Sequence, residues 1–316
     1  MVDPSTTELL EGMPDNWGTW GDDDEIGALN YLTSEEVLRG ISSVERGEVY
    51  TLGLPIGRDE GDPNFPQRIS TQHYMVSDQG FFLSGKRYWG EGRGSADDVV
   101  HMPLQGTTHV DALGHIWYDN EIYNGYDADS TMGGLEYCSV APLANHGVLG
   151  RGVLLDIARY KRVDHLDRGE RITLEDLKEC ADEQGISMEK RDYVLIRTGW
   201  LEWFYENQEE FSSGKYVEPG LTYSEQLVEW FNDMEIPGYG TDTLGNEQTV
   251  SETVEVGIPL HSALLRDMGL LFNEGLDLRE LSASCAEDGK YEFLLIMSPL
   301  KFLQGTASPV NPLAVK

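Results

Sequence analysis

The second half of the chain alternates short apolar runs with amphipathic ones, and this pattern constrains the fold more than any other feature. "GVLLDI" (152–157) and "DYVLIRT" (192–198) have the length and the branched side chains of buried strands. Between them, "TLEDLKECADEQG" (173–185) predicts a helix, with Thr173 as N-cap and Gly185 as stop. "SEQLVEWFNDME" (224–235) carries apolar residues at helical spacing, and "IPGYGTD" after it predicts a short strand and turn. "PLHSALLRDMG" (259–269) predicts a helix with Pro in its first turn and Gly at its end. "LLFNEG" and "YEFLLIMS" predict further strands. Strands alternating with helices specify the α/β class.

The first half is less regular. Thr33 and Glu36 form a capping box for a helix over 34–46, which Gly47 ends. Residues 48–54 and 67–76 are expected to be extended. Residues 77–100 form a glycine-rich excursion, and its "GEGRG" is a surface loop rather than a phosphate loop, because no Lys-Ser/Thr follows. No repeat, linker or composition break divides the 316 residues. A single domain over 1–316 is expected, with 1–47 as a helical lead-in and the core over about 48–303.

Charge excludes several function classes. The chain holds 56 acidic and 23 basic residues, a net charge of -33. Nucleic acid and anionic membrane are therefore poor partners. The acids are dispersed, with "DDDE" at 22–25 the densest run, which suggests adaptation to a salty, halophilic interior. The longest apolar run, "FLLIM" at 293–297, is far short of a membrane span. The acidic N-terminus has no basic n-region of a secretory leader, so a cytoplasmic location is expected. Cys138, Cys180 and Cys285 form no CxxC pair and are expected to be buried thiols.

Chemistry-bearing residues gather in "QGTTHVDALGH", 105–115. On an extended segment His109 and Asp111 face the same side with Cα atoms about 7 Å apart, close enough to share an ion. His115 would lie about 20 Å from His109 on a straight strand. A turn or helix after Asp111 brings it back, since Asp111 and His115 are i and i+4. Gln105 approaches only if the chain bends near Gly106. Two histidines beside an aspartate are also ordinary hydrogen-bonded core groups, so this spacing alone leaves both readings open. A second cluster adds weight. His261 falls in the first turn of the helix begun by Pro259, where the positive helix end is expected to keep its ring neutral. Glu274 follows at the end of a short strand that can return beside it.

Together these residues resemble the cyclase-like metal-dependent hydrolase family, which includes bacterial kynurenine formamidase (an arylformamidase of tryptophan catabolism) and isatin hydrolase. Its fingerprint is His-x-Gly-Thr-His-x-Asp-Ala-Pro-x-His. Thr108, His109, Asp111, Ala112 and His115 match it. Gln105 stands for the first His, Thr107 for the Gly and Leu113 for the Pro. "PLHSALLRDMGLLFNEGL" matches the downstream His and Glu with His261 and Glu274, and "GYGTDT" (238–243) is similar to the family's Asp-containing turn.

The resemblance implies a mixed, barrel-like sheet with flanking helices, of the swivelling β/β/α type, and a homodimer or homotetramer. It implies a divalent metal held by His109 and Asp111, with His261 and Glu274 completing one or two ion sites, and His115 as general base and acid. Gln105 departs from the fingerprint, and is either a weak ligand or a hydrogen-bond donor to metal-bound water or substrate. An all-N/O ligand set suits Zn²⁺ or Mn²⁺. The expected reaction is hydrolysis of an amide, ester or lactone carbonyl in a small-molecule substrate, an aromatic amide being one candidate. A cyclic amide or lactone hydrolase, or a metal-bound protein without turnover, are the rival readings. Trp117, Tyr118, Tyr123 and Tyr126 follow His115 as stacking surfaces or as packing, with packing the more ordinary role. His73 and His101 are further cavity candidates, and Arg68 and Arg197 are candidates for binding a substrate carboxylate.

Overall fold

A computed structural model describes residues 5–58, 61–65, 67–86, 92–213, 217–249, 254 and 256–316. Nine strands form one curled, half-barrel sheet: β1 (Val49–Thr51), β4 (His109–Asp111), β5 (Val148–Asp156), β7 (Tyr193–Arg197), β9 (Gly238–Thr241), β10 (Leu271–Glu274), β11 (Glu292–Met297), β12 (Ala307–Pro309) and β13 (Leu313–Val315). Their order is β1-β13-β11-β5-β7-β9-β10-β4-β12. Two small pairs stand apart from it: β2 (Gln72–Ser77) with β3 (Asp97–His101), and β6 (Arg171–Ile172) with β8 (Gly220–Leu221).

The centre of the sheet, β5-β7-β9-β10, is parallel. Parallel strands are covered on both faces, which is why "GVLLD" and "YVLIR" are buried almost throughout. Helices Leu174–Gln184 and Glu225–Asp233 lie between successive parallel strands; the first carries the predicted cap, Thr173, and the second is capped by Ser224. Strand β11 pairs antiparallel with β5 and shows the expected alternation of buried and half-buried residues. The α/β, barrel-like expectation is met. No helix among the described residues is long and apolar enough to cross a membrane. All three cysteines are free and buried.

Three local expectations change. The helix capped by Thr33 ends at Ser42, not at 46. The Lys316 carbonyl takes the N–H groups of Arg46, Gly47 and Glu48, so this stretch turns into β1 instead of extending the helix. The 259–269 helix forms as a π-helix over His261–Asp267. The glycine-rich excursion over 77–100 contains regular structure: Gln79–Leu83 is helical and Asp97–Ser77 pairing closes the β2–β3 ribbon. Gly90 and Glu91 of "GEGRG" lie outside the described residues. Two strands of the main sheet, β12 and β13, follow residue 303.

Candidate metal centre

Strand β4 is three residues long and lies between β10 and β12. Its register sets His109 opposite Glu274 on one side and opposite Pro309 on the other. Directly opposed residues bring their side chains together, so the segment at 109–111 meets Glu274 through strand pairing. His109 Nε2 lies 3.1 Å from Glu274 Oε2 and 3.7 Å from Asp111 Oδ1. One ligand atom from each of His109, Asp111 and Glu274 lies within 4.8 Å of the others, and all three residues are buried. Asn273 Nδ2 donates to the His109 carbonyl at 2.7 Å and fastens the two strands.

The ring of His109 is oriented from behind. Its Nδ1 donates to the Thr107 carbonyl at 2.9 Å, which leaves Nε2 toward the carboxylates. Thr107 makes this contact from a left-handed backbone, φ +59°, at the position where the family fingerprint has Gly.

His261 opens the π-helix, a geometry that recurs at functional sites. Its Nε2 lies 3.4 Å from Glu274 Oε1, so Glu274 sits between the two histidines. Its Nδ1 lies 2.6 Å from Glu247 Oε1. The same Glu247 carboxylate accepts the N–H groups of Leu260 at 2.8 Å and His261 at 2.7 Å.

Charge at the site is set by these contacts. Burial disfavours an imidazolium at His261, but Glu247 and Glu274 outweigh it and push its pKa up to about 10. The neutral ring expected from the helix end is therefore corrected: Glu247 occupies that end and holds a proton on His261 in the absence of an ion. His109 shifts upward for the same reason, with burial opposed by Glu274 and Asp111. Glu274 is also buried, yet its two histidine neighbours hold it below the usual carboxylate range. His115 shifts downward: burial dominates, with Asp111 and Glu274 pulling it up and His261 and Arg68 pushing it down.

The residues fit a divalent cation. His109 Nε2, both carboxylate oxygens of Asp111 and Glu274 Oε1 are buried and make no hydrogen bond. Buried polar atoms are normally satisfied, and four orphans converging in one place call for an ion. The donors are nitrogen and oxygen only, with no thiolate among them.

The cyclase family profile matches residues 50–248. The chain belongs to the cyclase family. A crystal structure of a novel cyclase is 34% identical, covers 96% of this chain and 99% of its own, and superposes with a TM-score of 0.86. The fold is shared with isatin hydrolases. Isatin hydrolase A from Labrenzia aggregata, bound to benzyl benzoate, is 21% identical over 87% of this chain and 94% of its own, with a TM-score of 0.61. An isatin hydrolase bound to the product analogue thioisatinate is 20% identical over 90% and 98%, with a TM-score of 0.60. A search of the curated proteins finds no match.

Around this cyclase-family site the other candidates separate. His115 follows β4 through a tight turn, its N–H donating to the Ala112 carbonyl at 2.9 Å. Gln105 presents its amide nitrogen to His115 Nδ1 at 3.2 Å and to Thr306 Oγ1 at 3.0 Å. An N–H donor cannot ligate a cation, so any part of Gln105 at an ion falls to its oxygen. Arg68 Nη1 donates to the Gln105 carbonyl at 2.7 Å, at the edge of the site. Arg197 is an internal ion pair with Asp156 at 2.9 Å. Asp242, in the turn after β9, accepts from Thr198 and Gly199 and ties β9 to β7; burial lifts its pKa to about 6.

Of the aromatic group, Tyr118 donates to Asp267 and Tyr123 to Asp24, while Tyr126 stacks on Tyr137 at 4.4 Å. Trp117 stays half-exposed. His73 and His101 lie exposed on the β2–β3 ribbon, where His73 pairs with Asp98 at 2.7 Å. Glu247 and Thr306 escape sequence reasoning. Glu247 acts on a helix start 13 residues downstream, beyond any capping spacing, and Thr306 touches Gln105 across 201 positions.

Proposed function

We propose that this cyclase-family protein is a metal-dependent hydrolase of an amide, ester or lactone carbonyl, of the arylformamidase or isatin-hydrolase kind. The convergence of His109 Nε2, Asp111 and Glu274 as buried, unsatisfied donors carries the reading. His261 joins them through Glu274. A divalent ion held by these residues, Zn²⁺ or Mn²⁺, supplies the charge that polarises a carbonyl and eases deprotonation of a water. Asp111 and Glu274 balance that charge, and the Thr107 carbonyl and Glu247 keep the two imidazoles aimed inward. His115 is the proton-handling side chain at the reacting carbonyl.

The half-exposed Trp117, two residues past His115, offers an aromatic face, which supports a small aromatic substrate. Exposed Tyr74, Met75, Val76, Val99 and Val100 on the β2–β3 ribbon support association between copies of the chain.

The test is metal content together with turnover. Purified protein should carry a stoichiometric divalent ion and hydrolyse at least one of isatin, N-formylkynurenine and an aromatic lactone. Protein with no ion, whose stability ignores EDTA, sinks the reading. A full ion complement with no turnover of any of the three favours a metal-bound protein that binds a ligand without cleaving it.

A further inference from the structure

We propose that Gln105 is a positioning residue that holds His115 in its Nε2–H form, so that His115 meets the substrate as a hydrogen-bond donor. What His115 does for the reaction rests on the hydrolase reading above; the state in which it is held rests on geometry.

Gln105 stands where the family fingerprint has its first His, and its main chain is fixed. Arg68 Nη1 donates to its carbonyl at 2.7 Å, and the next N–H, of Gly106, returns to the Pro103 carbonyl at 3.1 Å. The side-chain nitrogen lies 3.0 Å from Thr306 Oγ1 and 3.4 Å from the Thr306 carbonyl oxygen. That carbonyl can only accept, and it already accepts the Ala112 N–H at 3.0 Å, which ties residue 306 to the end of β4. Turning the amide over would set two oxygens against each other with no proton between them. The nitrogen therefore stays on this side.

The same nitrogen lies 3.2 Å from His115 Nδ1. An amide nitrogen donates and does not accept, so Nδ1 must be the acceptor and carry no proton. The proton of the neutral ring is then on Nε2. In that form Nε2 has an N–H and no lone pair. It can donate to a carbonyl oxygen as negative charge builds there. It cannot take a proton at that atom until the ring's own proton moves to Nδ1, and this requires the Gln105 amide to leave Thr306. A carboxylate in place of the amide would reverse the arrangement, accepting from Nδ1–H and freeing Nε2.

The experiment uses the full chain labelled with ¹⁵N-histidine, both Zn²⁺-loaded and metal-free. Long-range ¹H–¹⁵N spectra report each ring nitrogen, and the His115 signals are those missing in His115→Gln. The wild type should show an unprotonated Nδ1 and a protonated Nε2 in both preparations. Gln105→Glu should place a proton on Nδ1. Gln105→Met, of equal length and without the amide, should relax the preference for a proton on Nε2 and leave His115 in a mixture of tautomers. With unchanged metal content, Gln105→Glu should lower kcat by about tenfold or more, shift the pH profile and leave KM nearly unaltered. A protonated Nδ1 in the wild type overturns the proposal, as do His115 nitrogens that ignore both substitutions. Absence of wild-type turnover would count against the hydrolase reading alone, since the nitrogen spectra still decide the role of Gln105.

Discussion

Glu274 and His109 are cross-strand partners on β10 and β4, and their side chains meet at 3.1 Å. Residues 165 positions apart in sequence become neighbours because two short strands pair in one register. Glu274→Gln keeps the shape and removes the negative charge, while His109→Ala removes a donor. Each substitution should lower divalent-metal affinity by at least about 100-fold, beyond what loss of an outer partner costs. Titration of the metal-free proteins checks this. Affinity unchanged in both variants would exclude these residues as ligands.

Metal binding should release protons. Glu247 and Glu274 hold the His261 pKa at about 10, so near neutral pH the metal-free ring carries a proton that an ion must displace. Affinity should therefore rise with pH, by about tenfold per unit for each proton released, and level off above the raised pKa. Calorimetry in buffers of different ionisation enthalpy counts the protons directly. Affinity independent of pH between about 6 and 8 would show that His261 is not displaced.

The parts of this arrangement legible in sequence are those with local signals. Strands β5, β7 and β11 announce themselves by apolar runs, and His109, Asp111, His261 and Glu274 by a fingerprint in two segments. Strands β12 and β13 are three residues each, too short for any period to show. The helix Arg279–Asp288 has no side-chain cap, its N-cap being Leu278, and so lacked a start signal. Glu247 is invisible because its partners are brought to it only by the tertiary fold.

Thr107 is strained. It is a buried β-branched residue at φ +59°, and its Oγ1 makes no hydrogen bond. Thr107→Gly removes both penalties while increasing the freedom of the unfolded chain. The net effect should be a gain of about 1 kcal/mol in stability, with the His109 contact to the main-chain carbonyl retained. Denaturant unfolding of the metal-free protein measures it. A loss of stability would mean that the Thr107 methyl packs better than its backbone suffers.

Glu36 should make the fold acid-sensitive. Burial alone would raise its pKa, but bonds from Thr33 and from Arg191 at 3.0 Å hold it at about 2. A carboxylate depressed in the folded state contributes fully above its unfolded value of 4.5, and that contribution is lost as pH falls toward about 2. Discounting for the part-exposed Arg191, it is worth about 2 kcal/mol. Glu36→Gln should destabilise by that order at neutral pH and much less at about pH 2. Equal destabilisation at both would assign the effect to packing.

Salt should stabilise this chain, and the acid run at 22–25 shows why the effect is uneven. The net charge is -33, and repulsion between surface acids reaches about 10 Å in 0.1 M salt but only about 3 Å in 1 M. Asp22 and Asp23 are exposed and add to that repulsion. Asp24 is an internal acceptor, taking bonds from the Gly27 N–H at 2.9 Å, Asn30 at 2.8 Å and Tyr123 at 2.8 Å. Glu25 accepts the Cys138 N–H at 2.7 Å. These two charges are built into the fold beside two that are not. Neutralising Asp22 and Asp23 as asparagines should therefore raise Tm in low salt and do little in molar KCl. Asp24→Asn should lower Tm in both, because it loses acceptors that salt cannot replace. Thermal melts of the two variants across a KCl series separate these effects. A wild-type Tm indifferent to molar salt would remove the screening argument and leave only the internal role of Asp24.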